Sequence, residues 1–225
     1  MSVWNPPHWY QTYKIKNYSY LKTQNSFITE DGVIYNVNEL IDESVVYDNF
    51  KNRFGLEYFL GKIGVFNIKL EDDIILIWNH WGKDNYYHWI IDSLSNLIMI
   101  EEHKIKNAKI LLPPNPPQFI IDSLKSFNIE LINFSTGKVL NVKKLIYPIY
   151  PTSSGKTDAF LLKKIKEQFL SYIANQNLSK MEVFDKIYVS RSRQKKRSIL
   201  NEKSVINKLE GKGFKVVHFE DYTFW

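Results

Sequence analysis

Ile74–Ile75–Leu76–Ile77–Trp78 is a continuous apolar run with no polar residue inside it. A strand wetted on one face alternates apolar with polar residues, whereas a strand buried on both faces reads as this run does. Shortly after it, Asn85–Tyr86–Tyr87–His88–Trp89–Ile90–Ile91–Asp92 opens a different pattern. From there Trp89, Ile90, Leu94, Leu97 and Ile98 recur at helical spacing, which predicts a helix over Asn85 to His103, roughly 28 Å long at 1.5 Å per residue. A buried strand followed by a helix is the repeating unit of an α/β fold with a largely parallel sheet.

The alternation extends toward the C-terminus. Ala108–Leu112 reads as a strand ended by Pro113–Pro114 and Pro116–Pro117, which cannot stay in a central ladder. Gln118–Phe127 reads as a helix, Ile129–Phe134 as a strand, and Val139–Tyr150 as one or two more. Pro148, Pro151 and Thr152–Ser153–Ser154–Gly155 read as a linker, which divides the chain into 1–152 and 153–225. Beyond it come an amphipathic helix (Asp158–Asn175), a strand (Lys186–Ser190), a helix (Asn201–Gly211) and a strand (Phe214–Phe219). Toward the N-terminus, residues 1–70 read as β-rich short strands and turns. Val33–Ile34–Tyr35 follows an Asp31–Gly32 turn, Gly61–Leu70 alternates, and Glu71–Asp72–Asp73 reads as an acidic turn before the buried strand.

Composition narrows the function classes. Hydrophobic residues at 44% against 24% charged exclude a disordered chain, and the absence of cysteine excludes disulfides, thiolate metal sites and a cysteine nucleophile. Aromatics reach 15%, so some rings are expected at the surface, where sugars or bases stack. A net charge of +6 attracts phosphates, whether of nucleotides, nucleic acid or anionic lipid. Met1–Lys14 lacks the pattern of a secretory leader, and the longest apolar candidate, Ile90–Ile100, is broken by Asp92, Ser93, Ser95 and Asn96. A cytoplasmic protein, at most peripheral at a membrane, is the expectation.

Two segments could carry chemistry. His88 and Asp92 stand four residues apart, on one helix face, at the carboxyl end of the buried strand, where open α/β sheets bind ligands. The pair reads either as a local structural contact or as a group for proton transfer, with Asp92 orienting His88 or itself acting as base. The basic run Ser190–Arg191–Ser192–Arg193–Gln194–Lys195–Lys196–Arg197–Ser198 follows a strand and precedes a helix for which Asn201 is the expected N-cap. Arginines beside a helix N-terminus can grip a diphosphate; a solvated loop and a nucleic-acid patch are the alternatives. Ser153–Ser154–Gly155–Lys156–Thr157 is no P-loop, because Tyr150 stands where the phosphate cradle needs glycine. Glu71–Asp72–Asp73 lacks an Asp-x-Asp spacing, and His80 with His88 lacks a third ligand, so no metal site is expected.

Together the two segments resemble glycosyltransferase family 61, which carries N-Y-Y-H-W-x-x-D, then Y-x-S-R, a basic stretch with R-x-x-x-N-E, and a G-F strand ending in Glu. This chain has Asn85–Tyr86–Tyr87–His88–Trp89–Ile90–Ile91–Asp92, Tyr188–Val189–Ser190–Arg191, Arg197–Ser198–Ile199–Leu200–Asn201–Glu202 and Gly213–Phe214 in that order. The resemblance implies inverting transfer from a nucleotide sugar to a glycan or polysaccharide acceptor, often in capsular polysaccharide synthesis. It implies a GT-B-like α/β architecture of two Rossmann-like domains, the second incomplete here, with no metal and no cofactor beyond the sugar donor. Carried over, Asp92 is the general base, His88 lines the acceptor side, and Arg191 and Arg197, with the helix at Asn201, hold the donor diphosphate. The family continues past the point matched by Trp225 to a glycine-containing loop, so the chain alone is expected to transfer weakly or not at all. The alternatives are a non-catalytic partner subunit, completed by a second chain, and a nucleic-acid-binding module whose binding would fall steeply with salt; nucleic acid is not the expected partner.

Overall fold

The computed structural model describes residues 19–36, 39–46, 48–62, 67–100, 107–149, 158–176, 184–194 and 198–225. They belong to two compact units, Met1–Leu170 and Ser171–Trp225. The expected linker at 151–157 lies outside the described residues.

The first unit is built on one sheet. Its strands are β1 (Ser19–Ile28), β2 (Ile34–Asn36), β3 (Glu39–Leu40), β4 (Asn67–Ile75), β5 (Lys109–Leu111), β6 (Leu131–Ile132) and β7 (Val139–Ile149). They lie in the order β3-β2-β1-β7-β4-β5-β6. The run β7-β4-β5-β6 is parallel, as expected, whereas β1 pairs antiparallel with β7, and β2 and β3 follow as antiparallel neighbours. The sheet is therefore mixed rather than largely parallel. The reason lies in β7, which takes β1 along one flank from Ser19↔Ile149 to Ile28↔Leu140 and β4 along the other.

Ile74 to Trp78 is buried throughout, as a strand covered on both faces must be. Trp78 lies past the end of β4, and its Nε1 donates to the Leu111 carbonyl oxygen at 2.6 Å, fastening this end of the strand to β5. Its ring also fixes the identity of Gly32 in the β1–β2 turn. That residue has φ +74°, and a Cβ there would lie 2.9 Å from the indole.

Several elements differ from the sequence expectation. Glu71–Asp72–Asp73 is not a turn before the strand: β4 begins at Asn67 and carries the acidic residues through a bulge between Leu70 and Asp73. Their charge is matched across the sheet surface, Glu71 with Lys69 and Lys143, Asp73 with Lys144, and Asp72 with Lys109. The β-rich N-terminal region also holds helices, α1 (Asp48–Lys51) and α2 (Leu56–Lys62). They form because Phe54 and Phe59 must be buried together with Val33, Tyr35 and Val45, and the Tyr35 and Phe59 rings stack at 4.2 Å. The alternation expected over Gly61–Leu70 falls partly outside the described residues, at 63–66.

The long predicted helix is shorter and irregular. It consists of α3 (Tyr86–His88), a π-helical turn (Trp89–Ser93) and α4 (Leu94–Met99). Ile100 turns into extended conformation and enters the core at 3% exposure, which ends the helix. Pro148 belongs to β7, not to a linker. It pairs with Tyr20 of β1 beyond the last β4 pair, Ile75↔Ile146, where one flank of β7 no longer has β4 beside it. The helices α5 (Gln118–Leu124) and α6 (Ala159–Asn175) form where helical periodicity placed them, and α6 buries Leu161 and Ile165.

In the second unit, β8 (Ile187–Val189), α7 (Glu202–Glu210) and β9 (Lys215–Val217) form the expected strand–helix–strand. The two strands are parallel, with Tyr188 opposite Val216. Among the described residues no helix is long and apolar enough to cross a membrane.

Candidate functional site

The chain leaves the buried strand through a loop shaped by two asparagines. Asn79, 6% exposed, accepts hydrogen bonds on Oδ1 from the backbone N–H groups of Trp81 and Gly82 at 2.9 and 3.1 Å, which turns the chain sharply. Asn85 is extended (φ −100°, ψ 117°) and caps α3, its side chain accepting from the His88 N–H at 3.3 Å. Between them Gly82 lies against the π turn, so close that a Cβ would stand 2.4 Å from Ser93 Oγ.

Three side chains set the pose of this helix. Trp89 is fully buried, and its Nε1 donates to Ser123 Oγ at 2.8 Å. Ser123 Oγ in turn donates to the Ile120 carbonyl at 2.9 Å, which ties the helix to α5. Asn96, buried, donates from Nδ2 to the Ile77 carbonyl at 3.0 Å, tying it to the end of the strand. Ser95 Oγ donates back to the Ile91 carbonyl at 2.6 Å, and Leu94 N–H reaches five residues back to Trp89. The result is a wide turn of the kind that often marks a site of function.

That turn carries Asp92. Its carboxylate is 2% exposed, and Oδ2 lies 2.9 Å from His88 Nδ1 on a side chain 19% exposed. With the carboxylate ionised it can only accept, so in the neutral ring the Nδ1 tautomer would donate to Asp92 and present the Nε2 lone pair. Aromatic rings surround the imidazole. Trp81 is tilted against it at 4.8 Å and Tyr87 meets it edge-on at 5.4 Å.

A second polar cluster backs the loop. Lys83 Nζ donates to Asp31 Oδ1 at 2.6 Å, and the Tyr58 hydroxyl donates to Asp31 Oδ2. Burial alone would raise the Asp31 carboxyl, yet these two hydrogen bonds bring it below its ordinary range. His80 sits among Phe50, Phe54 and Trp81, and neither ring nitrogen has a hydrogen-bond partner among the described residues. Burial pushes its imidazole down from 6.5 to about 4, an effect only partly opposed by Asp31. The folded protein thus resists protonation that the unfolded chain accepts. This contribution to stability is complete above pH 6.5 and is lost as pH falls toward 4. His80→Phe should therefore flatten the dependence of the thermal midpoint on pH across that window. An unchanged slope would show that other groups set it.

The second unit differs in its detail from what its sequence suggests. Asn201 occupies the N-cap position of α7, as expected, but its side chain makes no capping hydrogen bond. The next residue turns away from the helix. Glu202, 6% exposed, folds back over the end of β8, and its Oε1 accepts from Arg191 N–H at 2.7 Å, Ser190 Oγ at 3.0 Å and the Tyr188 hydroxyl at 3.1 Å. The Arg191 N–H, with the two hydroxyls, holds this carboxyl below its ordinary range against the opposing effect of burial. The loop is further braced by Arg193 on Asp221 and Gln194 on Glu220. Arg191 is exposed at the strand end, whereas Arg197 lies outside the described residues.

Of the sequence candidates, then, His88 and Asp92 are in contact, and Arg191 stands at the carboxyl end of β8. Asn79, Asn96 and Glu202 escaped sequence reading as site-shaping residues. An asparagine after a buried strand was a turn signal for Asn79, and the Asn201–Glu202 pair at a helix start was a signal for Glu202. Nothing local announced Asn96.

The family model described as Glycosyltransferase 61 matches residues 86–225, more than half of the chain. The match begins at α3, takes in both His88 and Asp92, and runs through the whole of the second unit. No curated protein and no solved structure matches the chain.

Proposed function

This chain belongs to the glycosyltransferase 61 family, and from that premise we propose that it takes part in transferring a sugar from a nucleotide-sugar donor to a glycan or polysaccharide acceptor, with inversion and without a metal. The acceptor hydroxyl gives its proton to the His88–Asp92 dyad while its oxygen attacks the anomeric carbon. The bond from that carbon to the diphosphate oxygen breaks, and the nucleoside diphosphate leaves with the electron pair. A single displacement of this kind inverts the anomeric centre.

The observation that carries the reading is the 2.9 Å contact between Asp92 and His88 on a π turn within the matched segment. Asp92 was read from the sequence as the base. Its burial behind a more exposed His88 favours a division of labour in which Nε2 of His88 receives the proton and Asp92 holds the ring and balances its charge. Arg191 and Arg197 are proposed to hold the donor diphosphate, a role suited to planar, permanently charged guanidinium groups. Glu202 supports Arg191 by holding its backbone. A GT-B-like pair of Rossmann-like halves, a capsular-type surface glycan and a cytoplasmic setting belong to the same reading.

The test is a screen of nucleotide sugars by thermal shift and by donor hydrolysis in the presence of EDTA. The expected result is a shift with one class of donor, weakened by Arg191→Ala, and turnover that chelation leaves unchanged. Tight binding of nucleic acid that collapses with salt, with no response to nucleotide sugars, would overturn it.

A further inference from the structure

The segment matched to the family begins at residue 86, yet the loop that leads into the dyad helix precedes it and is held by residues far upstream. Lys83 Nζ reaches Asp31 Oδ1 in the β1–β2 turn at 2.6 Å, and the same carboxylate accepts from the hydroxyl of Tyr58 on α2. Both members of this ion pair are mostly shielded, Lys83 at 26% and Asp31 at 20% side-chain exposure. Three residues back, His80 packs on Phe50 of α1 at 5.4 Å and on Phe54 at 5.6 Å. The N-terminal layer thus grips the loop twice, by charge at Lys83 and by ring packing at His80.

Between those grips the loop meets the helix that carries the dyad. Trp81 lies tilted against the His88 imidazole at 4.8 Å. Gly82 is buried against the π turn, where a Cβ would stand 2.4 Å from Ser93 Oγ and 3.7 Å from the next nearest atoms. Its φ is not in the left-handed region, so this contact, and not backbone strain, is what disfavours alanine there. Ser93 Oγ is itself buried with no hydrogen-bond partner among the described residues. It adjoins Asp92, so the loop touches the dyad helix beside each of its two members.

We propose that the N-terminal layer positions the dyad through this loop, with Asp31, Lys83 and Gly82 as positioning residues that keep His88 and Asp92 at hydrogen-bonding distance. The proposal rests on the reading of His88–Asp92 as the proton-accepting pair. A regular helix brings residues four apart to one face unaided, but Asp92 sits on a turn widened to π geometry, where that spacing no longer holds by itself. An outside contact must then fix it, and the loop supplies one at Ser93 and one at His88. Loss of the Asp31 charge loosens the loop. A methyl group at position 82 pushes on Ser93 and carries Asp92 with it, because packed interiors transmit such strain. Proton transfer tolerates little of either, since misplacement by about 1 Å can cost a reaction 10²-fold.

The experiment is long-range proton–nitrogen NMR of the imidazole rings in the full chain, labelled on histidine, at a pH of about 8, where an ordinary imidazole is neutral. The chain has five histidines, and His88→Gln identifies the signals of His88. The parent is expected to show His88 as the Nδ1–H tautomer. Asp31→Asn and Gly82→Ala should each shift the His88 resonances toward those of a solvent-exposed imidazole. Ser93→Ala should leave them in place, and should restore them in the Gly82→Ala background, because it removes the one atom in the way. Thermal midpoints measured alongside separate positioning from stability. A lowered midpoint with His88 resonances unmoved in both Asp31→Asn and Gly82→Ala overturns the proposal, and so does failure of Ser93→Ala to restore them. Donor turnover by a parent whose His88 ignores every variant removes the positioning and leaves the transferase reading standing. Shifted and restored His88 resonances in a chain that responds to no nucleotide sugar do the reverse.

Discussion

Replacing Asp92 by asparagine should lower kcat/KM for transfer by roughly 10²–10⁴-fold, the usual worth of a positioned acid–base group. Asparagine keeps the size of the side chain, but it cannot balance the charge that the imidazole gains as it takes a proton, and its amide can hold the ring in the wrong tautomer. If Nε2 of His88 receives the proton, His88→Ala should cost a similar factor, and the double variant little more than either single one, because the two side chains act as one unit. Donor KM should move little in either variant. Retention of most activity in His88→Ala, with loss in Asp92→Asn, would return the proton-accepting role to the carboxylate itself. Turnover undiminished in Asp92→Asn would remove the dyad from the chemistry.

The largest effect on stability should come from Trp89. The side chain is fully buried, packs in the main core and hydrogen-bonds Ser123. Truncation to alanine removes the ring and leaves a cavity between the helix and α5, at a cost of about 3–5 kcal/mol. That is a large part of the ~5–15 kcal/mol that holds a typical domain together. Trp89→Phe should cost far less. It gives up the indole donor, but Ser123 Oγ still donates to the Ile120 carbonyl, so the loss should be about 1 kcal/mol plus a small packing defect. Guanidinium unfolding followed by far-UV ellipticity separates the two variants. A Trp89→Ala midpoint within error of the parent would mean that the helix is held from elsewhere, through Asn96 and Ile77.

Much of this could be read along the chain. The apolar run Ile74–Trp78 and the helical spacing that follows it are local patterns, and local periodicity largely dictates whether a segment becomes strand or helix. The β-hairpin at Asp31–Gly32, the helices over Gln118–Leu124 and Ala159–Asn175, and the strand–helix–strand from Ile187 to Val217 were legible for the same reason. So was the His88–Asp92 contact, since residues four apart on a helix meet whatever surrounds them.

What the sequence could not show concerns partners far apart along it. The mixed sheet follows from β1 pairing with β7, residues separated by about half the chain or more, and no local signal encodes that register. The acidic residues after Leu70 look like a turn until lysines on β5 and β7 are placed across from them. Glu202 looks like an ordinary first-turn acid until it is seen turned inward onto Tyr188, Ser190 and Arg191.

The sequence by itself determined the alternation of strands and helices, the family to which the chain belongs, and the spacing that joins His88 to Asp92. Only the tertiary structure decided that Asp92 lies buried while His88 stays partly exposed, because burial is a property of all the neighbours together and no single segment carries it.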